Sequence, residues 1–496
     1  MRYFLLVFIF LILSLQSFAG FDFNINCRTA YQDIINLKFK SAKAALETEK
    51  NKNPGNDIPI FLENYIDFFT LIIGENQSDF DVLQKNKDIR LAKMEKGDLK
   101  SPWFLYSQAE VNLQWAFVHV KFGEYLSAVS EINKAYKLLD DNQRKYHTFL
   151  PNIKSMGLLH SIIGTVPDNY KWAVNIMGIE GTIKQGVKEL NTVVTQSQQT
   201  NAEFNYLLTE SLFLLSFVEL NLSKDKDNIE KLYSTLKSVP NYNPLLTFAK
   251  ASIAIKTSRN NEAISYLETR PEISEQYPFY YLDLLTGEAK LNRLDMDADV
   301  YINRYIRNFK GKSYIKTAYQ KLAWFSLLVG DSDGYRKNIR VVLEKGNEIT
   351  DEDKQAQKEA ESAEIPNLKL LKARMLFDGG YYLQALTILV KEGNSKDFTT
   401  EKDQLEFTYR LGRIYHSWGK PDNAIPYYDM TIVNGAKSSY YFAANAALNL
   451  GLIYEEKKDY KQSRKYFEMC PGFKNKEYRN SIGQKAKAGL NRIEGK

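Results

Sequence analysis

Cysteine and histidine are scarce in this 496-residue chain, and the chemistry they would supply is scarce with them. There are two cysteines, Cys27 and Cys470, and four histidines. Cysteines at opposite ends of so long a chain make neither a disulfide framework nor a zinc site, and both read as small buried hydrophobes. His119, His147, His160 and His416 show no spacing that puts two of them on one helix face, and no HExxH motif occurs. His160 lies in the apolar run Leu158-Leu159-His160-Ser161-Ile162 and reads as a satisfied core histidine. Missing too are a GxSxG nucleophile elbow, a GxxxxGK[ST] phosphate loop and an acidic calcium loop. Carboxylates abound, but sequence alone singles out no acid–base pair. The net charge is only +6, or +5 without Arg2, and the basic residues do not cluster as a nucleic-acid surface requires. These absences point to a protein that is not an enzyme, with no catalytic residue, no metal, no cofactor and no nucleic-acid partner.

Long apolar runs are also rare, and the one present is N-terminal. Arg2 is followed by an unbroken apolar stretch from Tyr3 to Leu13, with small residues at Ser17 and Ala19. That is a signal-peptide profile, with cleavage expected before Gly20. The run falls short of the roughly 20 residues of a membrane span, and an uncleaved anchor is the lesser alternative. No later stretch reaches that length, so no transmembrane span is expected after cleavage. Lipidation of Cys27 is disfavoured, because Asn24-Ile25-Asn26 stands where a lipobox needs small or apolar residues.

What is present in quantity is hydrophobic side chains, 44% of the total, including 32 tyrosines and 28 phenylalanines. Apolar residues recur at helical spacing over segments of ten to sixteen residues, too long and of the wrong period for strands. Two segments, Leu411–Asp429 and Leu450–Glu468, superpose in register. Gly412 and Gly451 stand 39 residues apart, each preceded by leucine (Leu411, Leu450) and followed three residues later by tyrosine (Tyr415, Tyr454). Twelve residues after each glycine comes a small residue, Ala424 or Ser463, and four further an aromatic, Tyr428 or Phe467. Ala373, Ala385 and Leu389 repeat the spacing one period upstream. Small residues fit where antiparallel helices cross closely, and the aromatic fills the groove beside the crossing. The pattern resembles the tetratricopeptide repeat, which implies an all-α fold of helical hairpins stacked into a right-handed superhelix. Weaker copies stand at Ala30/Ala42/Leu46, Ala116/Ala128/Ile132, Ala251/Ala263/Leu267, Ala298/Ile302 and Ala323/Ile339.

Two segments depart from the array. In residues 156–190, Gly157, Ser161, Pro167 and Lys171 precede Gly178, Gly181, Gly186 and Leu190. This spacing resembles the signature region of the tetratricopeptide repeat protein 39 and yeast inclusion-body-clearance family, and the likeness extends loosely through the C-terminal repeats. It implies an intracellular, adaptor-like protein without catalysis, whereas the leader of this chain implies export. Read without the family, the glycines let a helix pack closely on its neighbour or end in a tight turn. The second departure, residues 344–364, is strongly charged with almost no large apolar residue, and reads as a solvated helix or flexible insertion rather than an acidic interaction tail. The expected division is therefore a leader at 1–19, an N-terminal repeat region at 20–343, the charged insertion at 344–364 and regular repeats at 365–496.

The function expected from this pattern is that of a non-catalytic exported scaffold in the periplasm or cell envelope, holding a protein or peptide in its superhelical groove. His416 and Trp418, at the end of a first helix, are candidate contacts, or else simply close the turn. An exported carbohydrate- or nutrient-binding protein on the same scaffold is the alternative from another class, and a hydrolase with an unrecognised site is the third.

Overall fold

The structure, a computed structural model, describes residues 20–166, 177–199, 203–392, 397–475 and 477–495. The expected leader, Pro167 and Lys171 lie outside the described residues. Among the described residues there is no strand, only a single parallel bridge between Gly20 and Asn56. The expected all-α, helical-hairpin architecture is what is found.

The helices form two compact units. The first contains α1 (Ile25–Ile35), α2 (Phe39–Lys52), α3 (Ile58–Gly74), α4 (Gln77–Leu83), α5 (Asn86–Met94), α6 (Pro102–Phe122) and α7 (Tyr125–Lys145). It continues with α8 (Leu150–Ile163), α9 (Ile183–Ser197), α10 (Leu208–Val218), α11 (Lys226–Lys237) and α12 (Pro244–Lys256). Three helices, α13 (Asn260–Glu268), α14 (Tyr281–Asn292) and α15 (Ala298–Asn308), contribute residues to both units. The second unit contains α16 (Ile315–Leu328), α17 (Ser332–Glu344), α18 (Asp351–Ser362), α19 (Leu368–Asp378), α20 (Tyr382–Thr387), α21 (Glu401–Ser417), α22 (Pro421–Gly435), α23 (Phe442–Glu456), α24 (Tyr460–Met469) and α25 (Arg479–Arg492).

One turn recurs at the hairpin tips. Leu37, Gly123, Ser258, Leu294, Gly330, Gly380, Gly419 and Lys458 each follow a first helix with positive φ, between 60° and 85°. The next residue's N–H then reaches back to a carbonyl five residues earlier, as in Glu124 to His119, Asp331 to Ser326, Tyr381 to Leu376, Lys420 to Tyr415 and Asp459 to Tyr454, at 2.8–2.9 Å. This closes the helix end and starts the return helix at once. Glycine takes the left-handed conformation freely, whereas a side chain there costs about 1–2 kcal/mol. Half of the tips meet that cost, so the tight reversal is a demand of the architecture and outweighs local preference.

Behind the tips the helices cross at small residues. Ala30, Ala42, Ala116, Ala128, Ala251, Ala263, Ala323, Ala373, Ala385 and Ala424 are all buried, with Leu46, Leu267 and Leu389 behind them. In the second unit a Cβ on Gly412 would stand 2.7 Å from Cδ1 of Tyr428, and one on Gly451 would overlap Cδ1 of Phe467. Ser463 donates its hydroxyl to the Gly451 carbonyl at 2.8 Å, which satisfies a polar group at the closest approach. Leu411 and Leu450 are buried beside the two glycines. Tyr415 stacks on Tyr427, and Tyr454 on Tyr466, each at 5.6 Å between centroids with planes within 8°. Phe467 also meets Gly489 of α25, so one ring is enclosed by glycines from two helices. Gly489 prolongs the series of small first-helix residues.

The charged stretch 344–364, expected as a solvated helix or a flexible insertion, contains a helix that is mostly exposed but buries one face. Its residues Asp351–Ser362 form α18, and Asp353, Ala356 and Ala360 are buried on one face. Asp353 accepts from the backbone N–H of Tyr314 at 2.7 Å and of Thr317 at 3.0 Å, capping the start of α16. Glu359 accepts from Gln320 and from the Trp324 indole, each at 2.7 Å. Small and acidic residues form the packed stripe, which is why hydrophobicity did not reveal it. The segment lies within the second unit.

The first unit begins with a polar clamp. Glu49 is fully buried and accepts from four asparagine amides: Asn24 at 2.7 Å, Asn26 at 2.8 Å, Asn56 at 2.8 Å and Asn53 at 2.9 Å. Burial alone would raise its pKa, but the amides outweigh that and hold it down at about 2. Asn24 and Asn26, which spoil the lipobox before Cys27, thus serve the core. Cys27 is buried, and burial foremost pushes its thiol up to about 12.

Two expectations follow. Gly451→Val should cost about 1–3 kcal/mol by overpacking. Combined with Phe467→Leu it should cost less than the sum of the single changes, measured by urea denaturation, and strictly additive costs would refute the crossing as described. For Glu49 the folded pKa is depressed, so its contribution is present above the unfolded value of about 4.3 and is lost as pH falls through about 2. Urea midpoints of wild type should therefore fall more steeply between pH 4.5 and 2 than those of Glu49→Gln.

Candidate functional site

The densest cluster of ionisable side chains lies in the core of the first unit. Lys154 of α8 donates to Glu210 of α10 at 2.7 Å, to the Tyr65 hydroxyl of α3 at 3.0 Å and to Glu110 of α6 at 3.4 Å. Tyr65 donates to Glu110 at 2.9 Å, Ser155 also donates to Glu110, and Tyr31 of α1 donates to Glu210. All six residues are buried. Burial alone would lower the Lys154 pKa, but Glu110 and Glu210 hold it well above its ordinary value. The cluster joins five helices, and its hydrogen bonds run from one buried side chain to another. It has the form of a structural core and leaves no polar group turned toward a substrate.

The histidines and clefts offer little more. His119 faces Glu124 at 2.8 Å and His160 faces Glu189 at 2.6 Å. Among the described residues no three His, Cys, Asp or Glu side chains stand close enough to hold a metal ion. A cleft of about 560 Å³ is lined by Phe23, Arg28, Trp103, Phe149, Phe204 and Tyr206. Phe23 stacks on Trp103 at 4.5 Å and on Tyr206 at 4.8 Å, while Phe149 meets Trp103 edge-on at 5.1 Å. The faces that Phe23, Trp103 and Tyr206 turn toward one another are occupied by neighbouring rings.

The glycine-bearing segment is a helix crossing followed by a turn. Gly157 and Ser161 of α8 pack against Gly186 and Leu190 of α9, where a Cβ on Gly186 would stand 2.7 Å from the Ser161 backbone nitrogen. Gly181 lies against His160, and Gly178 has φ +70° with open space around it. His416 and Trp418 sit at the tip between α21 and α22. His416 meets Tyr428 edge-on at 6.1 Å, Trp418 caps α21 through its backbone, and Lys420 lies 3.6 Å over the indole.

The residues that sequence reasoning missed line the face shared by the first helices of the second unit, where α16 packs on α19, α19 on α21, and α21 on α23. Trp324, Arg374 and Arg413 each follow the small crossing residue of their helix, Ala323, Ala373 or Gly412. The Lys321 ammonium lies 3.8 Å over the Trp324 ring, and the Arg374 guanidinium 4.6 Å over the same ring. Arg413 lies 4.7 Å over Phe377 and donates to the Tyr409 hydroxyl at 3.3 Å. Lys321 and Arg413 make no ion pair among the described residues, and the carboxylate of Asp378 is 4.0 Å from Arg374. Lys321, Arg374 and Arg413 are all partly exposed. Burial nonetheless pushes the Lys321 pKa down, with Glu288 opposing it, and burial pushes the Glu288 pKa up. The regular period was the available signal, since Arg374 and Arg413 are 39 residues apart.

Residues 405–429 and 444–470 match the tetratricopeptide repeat family. These are the segments that contain Gly412/Tyr428 and Gly451/Phe467. No curated protein matches the chain.

Because two carboxylates share one buried lysine, Lys154→Met should destabilise by about 3–5 kcal/mol. Restoring charge balance with Glu210→Gln should recover part of the loss, read from chemical denaturation. A single-variant cost below about 1 kcal/mol would contradict the buried ion cluster as described.

Proposed function

We propose that this chain is an exported scaffold of the periplasm or cell envelope, and that it binds an acidic segment of a protein partner along the first-helix face of its second unit. The observation that carries this reading is the row of cations on successive repeat helices, Lys321, Arg374 and Arg413, seated over aromatic rings, of which Lys321 and Arg413 make no ion pair among the described residues. A cation stacked on an aromatic face is positioned without being neutralised, so it can still take up a carboxylate. Tetratricopeptide repeats suit protein interaction, and the fold offers the long, regular surface such recognition uses.

Export rests on the N-terminal sequence, with its apolar run and the small residues Ser17 and Ala19. None of the described helices is long and apolar enough to cross a membrane. The likeness of Gly157, Ser161 and the following glycines to the tetratricopeptide repeat protein 39 and yeast inclusion-body-clearance family supports an adaptor role, although that family is intracellular. The occupied ring faces of the aromatic cleft weigh against the carbohydrate-binding alternative, and the hydrolase alternative draws no support from any observed constellation.

The test is a comparative capture experiment on envelope extract. The double variant Lys321→Glu/Arg413→Glu, with unchanged circular dichroism, should lose the proteins captured by wild type. Affinity for a captured partner should fall roughly 30-fold or more, the scale of a removed arginine hot spot. Equal capture by both proteins would overturn the reading.

A further inference from the structure

Asp57 is a buried acid without a partner. It is 4% exposed, its Oδ2 accepts no hydrogen bond, and among the described residues no cation stands within ion-pair distance of it. It occupies the N-cap position of α3, yet its side chain caps nothing. Burial pushes its pKa up, with Lys93 the cation that opposes the shift. Phe21 and Gly97 face the same carboxylate, since a Cβ on Gly97 would stand 3.1 Å from Asp57 Oδ2 and 2.6 Å from the Phe21 ring. A carboxylate so placed carries a desolvation cost that Lys93, out of ion-pair distance, offsets only in part.

The backbone beside it belongs to Gly20. Gly20 N–H donates to the Gly55 carbonyl at 2.7 Å, and the Gly20 carbonyl accepts from Asp57 N–H at 2.8 Å. The pairing continues through Asp22, whose N–H donates to the Asn56 side chain at 3.0 Å and whose carbonyl accepts from the Asn56 amide at 2.8 Å. Gly20 is thus held at a fixed place, one bridge position from a carboxylate that lacks a cation.

We infer that removal of the leader after Ala19 makes the Gly20 nitrogen into that cation, so that the processed amino terminus docks beside Asp57. The inference rests on the exported reading proposed above. A signal peptidase splits the Ala19–Gly20 amide with one water: the oxygen goes to the Ala19 carbonyl carbon, leaving a carboxylate, and the nitrogen leaves as the Gly20 ammonium. The Gly55 carbonyl already accepts from this nitrogen, and a charged donor strengthens that bond while supplying Asp57 with a counter-charge. The precursor has only an uncharged amide at this point. The clamp of Gly20–Phe23 onto the loop before α3 therefore tightens only after the leader is gone.

The full-length chain, expressed with its own leader in an exporting host, provides the test. Its amino terminus is sequenced, and acylation of the Gly20 amine by acetic anhydride is timed at pH 7 in the folded and the urea-unfolded protein. A free α-amine has a pKa of about 7.7–8.0, and each unit of increase removes about tenfold of the reactive free base. The expected result is a chain that begins at Gly20, reacts at least about tenfold more slowly when folded, and recovers most of that rate in Asp57→Asn. Asp57→Ser, which keeps an N-cap residue, serves as the second variant should the first not fold. A chain that begins elsewhere overturns the docking together with its premise. A chain that begins at Gly20 but reacts at the unfolded rate, or just as slowly in both variants, overturns the docking and leaves export standing.

Discussion

Two antiparallel helices can close to glycine or alanine distance only if a turn reverses the chain at once and something fills the groove beside the crossing. Most of what is regular in this molecule follows from that constraint. The left-handed residue after each first helix provides the reversal, and Leu37, Ser258, Leu294 and Lys458 adopt it although it disfavours them. The crossing then excludes a Cβ at Gly412 and Gly451, and Tyr428 and Phe467 occupy the space this leaves. Once one hairpin has this form, the next first helix meets the same surface. Phe467, held between Gly451 and Gly489, shows how the contact within a hairpin becomes the contact between neighbours.

Where the period weakens, buried polar groups take over part of the work. Glu49 with its four asparagines, and Lys154 with Glu110 and Glu210, are directional and fully partnered arrangements. Each ties together segments far apart in sequence. Such groups stabilise little relative to well-packed apolar residues, but a shifted register would leave a charge stranded, so they discriminate strongly between packings. Asp353 does the same for α18, a helix with too little apolar surface to be placed by hydrophobic burial.

This difference explains what sequence could reveal. Gly412, Gly451, Ala424, Ser463, Tyr428 and Phe467 were legible because steric exclusion acts at a fixed spacing and leaves a periodic trace. Helices throughout were legible from apolar period. The packing of α18 was not, because a buried stripe of aspartate and alanine looks like a solvated one until its partners are known. The Lys154 cluster was equally hidden: Tyr31, Tyr65, Glu110 and Glu210 are ordinary residues in separate helices, and only the fold brings them together. The first-helix face lies between these cases. Arg374 and Arg413 share the repeat period, but their lack of counter-charges is a property of the fold.

The proposed binding surface differs from the buried ion cluster of the first unit in how it holds its charges. In the first unit, Lys154 meets Glu210 at 2.7 Å and Arg90 meets Asp67 at 2.6 Å. On the first-helix face of the second, Lys321 and Arg413 rest on rings without a carboxylate in contact. Partial desolvation without pairing is unfavourable in the isolated chain, and packing alone would be served as well by leucine or methionine at these positions. The acidic segment proposed for this face removes that penalty, so the free energy left unspent within the fold becomes available for the proposed association. The same reasoning sets a limit on affinity. Glu288 and Asp378 stand near the cations, so the proposed partner has to bring its carboxylates to Lys321 and Arg413 while keeping clear of these two, a demand on spacing as well as on charge.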